Sequence, residues 1–174
     1  ADTESIRHAL ESAGISRLYV PKRIAGPFAR SYFDAARLVL ESPDSSPEDR
    51  AQSLRSSAGA LAQHLVHNPG IQSYQMARDL TELMVAEAVK LPESPTALVK
   101  MTYVEQELHS HLVNSSIYVI ALSGPLRIYP TERIAMVGLA CLLYDLGMTR
   151  VSSRSGFTGD PSQDPVLRQH VFVG

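Results

Sequence analysis

The chain has 174 residues and a formal net charge of -2, a size that suits one domain, or one domain with a piece of a neighbour. It is 44% hydrophobic with 6% aromatics and no Trp, the composition of a helical protein with an aliphatic core. The balanced charge excludes a bulk basic field for DNA or RNA, the single cysteine, Cys141, excludes an internal disulfide framework, and no apolar run reaches the roughly 18 residues of a membrane span.

In chain order, Asp2 or Thr3 caps a short helix with Ile6, Ala9 and Leu10 on one face, stopped at Gly14. Residues 15–20 read as a short strand closed by Pro21. Pro27 opens a second helix through Phe28, Tyr32, Phe33, Ala36, Val39 and Leu40, and 42–47, with two prolines and three serines, is the clearest linker. Ser46, Pro47 and Asp49 form a capping-box-like start for a third helix with Leu54, Ala58, Leu61 and Leu65 facing the core. Asn68-Pro69-Gly70 ends it, and a fourth follows from about Ile71 to Lys90 with Met76, Leu80, Leu83, Met84 and Ala88 at helical spacing.

After a turn over 91–95 and a short helix near Thr96 to Met101, the spacing predicts a long helix from Thr102 to Ser123, ended by Gly124-Pro125. Thr131 caps a very apolar helix to Leu146, which Gly147 can close in a left-handed conformation, and Cys141 falls inside it as a buried thiol. The pattern fades after Val151, and Pro165 to Gly174 starts one more helix. The expectation is a mainly α protein with one short β element near the N-terminus. A chain that starts at Ala1 and stops at Gly174 in mid-pattern reads as part of something longer. With no signal peptide recognised, the expected location is cytoplasmic.

Three features could carry chemistry. Glu105 and His109 lie four apart, on one helix face, with His111 as an alternative partner. Asp145 stands at the end of an apolar helix, where the exposed carbonyls disfavour a negative charge, so if buried it needs a metal, a cation or several N–H donors. His170 follows the polar stretch on a short amphipathic segment. Each alone also fits an ordinary surface residue. No Walker, Rossmann or Gly-x-Ser-x-Gly pattern occurs.

Taken together, these segments resemble the HD superfamily of metal-dependent phosphohydrolases, and most closely its HD-GYP branch. Glu105-Gln-Glu-Leu-His109-Ser-His-Leu-Val113 is similar to the family's Glu-x-x-x-His-Ser-x-x-Val helix. Leu142-Leu143-Tyr144-Asp145-Leu146-Gly147-Met148 is similar to Leu-Leu-His-Asp-Ile-Gly-Lys, and His170-Val-Phe-Val-Gly174 to His-Pro-x-x-Gly. Ala13-Gly-Ile-Ser-Arg-Leu-Tyr-Val-Pro21 looks like the run that precedes many such domains. The resemblance implies an HD-domain-like helical bundle over 27–174, incomplete at its C-terminus, with 1–26 as the end of a preceding domain or a linker.

By the same resemblance, Glu105, His109, Asp145 and His170 match metal ligands, with Asp145 in the catalytic role. In intact members a centre of two or three iron or manganese ions activates water to attack a phosphodiester, usually cyclic di-GMP. Here Tyr144 stands where the doublet has His, and Met148 where it has the Lys that contacts the substrate phosphate. Those departures imply a degenerate domain that holds Fe or Mn weakly or not at all and serves bacterial cyclic di-GMP-type signalling as a sensor or interaction module. The alternatives are an active phosphodiesterase and a purely structural helical dimerisation module. A cyclic dinucleotide, protein partners and a second copy are the expected partners. Three further expectations follow: Glu105 and His109 share a cleft with Asp145, Tyr144→His with Met148→Lys raises metal affinity, and the introduced lysine's amine reaches solvent.

Overall fold

A computed structural model describes residues 3–15, 19–90, 94–100, 102, 108–126, 129–148 and 169. Seven α-helices appear among them: α1 (Thr3–Ser12), α2 (Lys22–Glu41), α3 (Pro47–His67), α4 (Ile71–Lys90), α5 (Ser94–Lys100), α6 (Leu108–Leu126) and α7 (Thr131–Leu143). The described residues contain no strand. Of the segment expected to be extended, Ile15, Tyr19 and Val20 are exposed and lie in no regular element, and 16–18 fall outside the described residues. α1 ends as expected, with Gly14 at φ +70.

α3 is the hub, contacting α2, α4, α5 and α6. Ser46 Oγ accepts from the Asp49 N–H at 3.1 Å, and Asp49 Oδ2 accepts from the Ser46 N–H at 3.2 Å. This closes the reciprocal cap, with Pro47 at the first helical position. Leu54, Ala58, Leu61 and Leu65 are all buried, as their spacing predicts. They meet Ala29 and Phe33 of α2, Leu80 and Met84 of α4, Leu98 of α5, and Leu112 and Ile117 of α6 in one core.

The 42–46 linker is not loose. The Arg50 side chain, 8% exposed, donates to the carbonyls of Leu40, Ser42 and Ser45 at 2.8, 2.7 and 3.2 Å and pairs with Glu87 of α4 at 3.4 Å. One guanidinium therefore satisfies carbonyls at the end of α2 and fixes the corner into α3.

Several boundaries differ from expectation. α2 begins at Lys22, ahead of Pro27, which sits inside the helix. Gly124 and Pro125 lie within α6 rather than ending it. α7 has Pro130, not Thr131, at its N-cap, and ends at Leu143. The chain then tightens, with the Leu146 N–H donating to Leu143 O and the Met148 N–H to Asp145 O; Gly14 alone among the described glycines has positive φ. At α5, Thr102 stands outside the helix and bonds back to the Val99 carbonyl through N–H and Oγ1, and 103–107 fall outside the described residues.

α6 and α7 form the most extensive helix pair, and α7 also lies against α4. Gly138 permits the close approach: a Cβ there would stand 2.8 Å from Ile120 Cδ1 and 2.9 Å from Cγ1. This pairing carries the end of α7 to the N-terminal half of α6.

Candidate functional site

α7 delivers Tyr144 and Asp145 to the start of α6, where His109, His111 and Ser115 lie within two turns. His111 Nε2 is hydrogen-bonded to Tyr144 Oη and lies 3.6 Å from Asp145 Oδ2. Asp145 and Ser115 also act on the titration of the Tyr144 hydroxyl. The Asp145 side chain is 16% exposed, so it is neither fully buried nor an ordinary surface carboxylate. The phenol is held above its ordinary pKa, first by burial and then by the adjacent Asp145 charge.

The His111–Tyr144 bond can run in either direction, because a phenol and an imidazole nitrogen can each donate or accept, and the tautomer of His111 sets which.

His109 is half-buried, with Nε2 3.5 Å from Gln63 Nε2 on α3. His109 and His111 are two residues apart, roughly 200° around the helix, so the two imidazoles leave α6 in different directions. Glu105 and His170 lie outside the described residues.

A two-metal centre needs a bridging carboxylate and several imidazoles. Among the described residues, no three His, Cys, Asp or Glu side chains gather in reach of one ion. The Asp145 carboxylate already faces His111 and Tyr144. The described donors do not fit such a centre.

Met148 is 4% exposed and packs on Leu108. A lysine amine there would start from a buried position, which corrects the expectation that it would reach solvent freely. Cys141 is half-buried, and burial pushes its thiol above the ordinary value. A separate groove of about 460 Å³ runs between α4 and α7, walled by Tyr74, Val85, Ala135, Met136 and Leu139 with Arg78, Glu82 and Glu132 at its edges. It includes none of the residues around Asp145.

No protein-family model, curated protein or solved structure matches the chain. No helix among the described residues is long and apolar enough to cross a membrane.

Proposed function

We propose that this chain is a degenerate HD-GYP-like domain that serves bacterial cyclic di-GMP-type signalling as a sensor or interaction module, with impaired catalysis. The observation that carries the reading is the pairing of two motif-bearing helices: the Tyr144-Asp145 doublet that follows α7 meets His111 of α6, two residues after His109. A partly shielded carboxylate after an apolar helix supports the resemblance to a metal phosphohydrolase scaffold, whose metal centre takes carboxylate ligands. Tyr144 and Met148 are what deprive it of a ligand and of a phosphate-binding cation.

The test pairs elemental analysis with calorimetric titration of cyclic di-GMP and an assay for its hydrolysis. The reading expects saturable binding without turnover and less than one Fe or Mn per chain. Stoichiometric Fe or Mn with turnover would establish the active phosphodiesterase instead. A second reading, a helical dimerisation module, is favoured by Tyr118, Leu122 and Leu126. These recur every fourth residue on α6 and are 42%, 53% and 63% exposed. No nucleotide binding, with a dimer in light scattering that Leu122→Glu dissociates, would establish that module.

A further inference from the structure

We propose that His111, Tyr144 and Asp145 form a metal-independent latch that locks the end of α7 onto α6. The inference rests on side-chain geometry alone and stands whether or not the chain binds a cyclic dinucleotide.

The three residues come from two elements. His111 lies in the first turn of α6, and Tyr144-Asp145 in the tight turns that follow α7. Two contacts join them: the hydrogen bond between His111 Nε2 and Tyr144 Oη, and the approach of His111 Nε2 to Asp145 Oδ2 at 3.6 Å. Backbone bonds from Leu146 to Leu143 and from Met148 to Asp145 hold the turn that presents the pair. Beneath it, Met148 seats on Leu108 of α6. The end of α7 is thus fastened by a polar layer outside and an apolar contact inside.

The latch also explains how a carboxylate is tolerated at a helix C-terminus that disfavours negative charge. The imidazole Nε2 faces Asp145 Oδ2 at 3.6 Å, so a divalent cation at that oxygen competes with the imidazole. His111 is therefore a positioning residue that the motif pattern alone does not single out, and Tyr144 is a working replacement for a ligand rather than a mere loss.

The test uses the full chain, with the single variants Tyr144→Phe and His111→Asn and the double variant. Long-range proton–nitrogen spectra of wild-type protein should show one dominant His111 tautomer, and Tyr144→Phe should change the tautomer populations. Each single change should lower the melting temperature by about 2–4 °C, and the double variant should melt no lower than the weaker single variant, because both break one coupled unit. An unchanged tautomer balance in Tyr144→Phe, or losses that simply add, would overturn the latch.

Discussion

Two polar clusters tie helices together in this molecule, and they differ mainly in burial. At the α2–α3 corner, Arg50 and Glu87 have side chains 8% and 5% exposed, and the guanidinium also holds three backbone carbonyls. At the α6–α7 end, His111 is 51% exposed and Asp145 16%. The first cluster is closed: solvent cannot replace a lost partner, so its role is to define the corner. The second is open on one side, so solvent reaches the groups that fasten α7 to α6. Burial separates a structural knot from a candidate site more clearly than residue type does.

Glu87→Ala should give the largest effect. It leaves a buried guanidinium without its counter-charge, which costs about 3–5 kcal/mol, and urea unfolding should report it. A loss below about 1 kcal/mol would mean that the three carbonyls alone satisfy Arg50, and the contrast between the clusters would collapse. Met148→Lys should come next, at about 2–3 kcal/mol, because the ammonium starts in a buried position against Leu108. Thermal melting checks it, and an unchanged midpoint would show that the end of α7 is looser than its packing implies.

The smallest effect is a pH dependence away from both clusters. His64 Nδ1 is buried without a hydrogen-bond partner, and its ring lies 3.5 Å from where a Cβ on Gly26 would stand. Burial, then the neighbouring His67, lowers its pKa. A lowered imidazole pKa means that the unfolded chain takes up the proton first. The stabilising contribution of neutral His64 is complete above the ordinary value of about 6.5 and is lost as the pH falls below it, through the lowered folded value. Wild type should therefore lose melting temperature as the pH falls below about 6.5, and His64→Gln should lose less. Parallel curves for the two proteins would refute the assignment.

The helical core was legible because it depends on local period. Leu54, Ala58, Leu61 and Leu65 recur at helical spacing, and Ser46, Pro47 and Asp49 announce the start of α3 within four positions. What escaped were features set by distant partners. Arg50 and Glu87 are 37 residues apart, so nothing local marks 42–46 as a fastened corner. Pro27 and Gly124-Pro125 read as helix boundaries, yet α2 and α6 continue through them. At the candidate site, the sequence placed Asp145 at the end of α7 and made His111 a candidate partner of Glu105. That His111 meets Asp145 depends on the tight turns after Leu143, which no local pattern specifies.

The central claim is that protein groups, not a cation, hold Asp145. The most direct test is the melting temperature of the full chain with EDTA and then with about 1 mM Mn(II), beside Asp145→Asn. A site one-hundredfold saturated would add about 2.7 kcal/mol, or roughly 5–10 °C for a chain of this size. The latch predicts coincident melts for wild type in EDTA and in Mn(II). A rise of that size in wild type, abolished by Asp145→Asn, would contradict it.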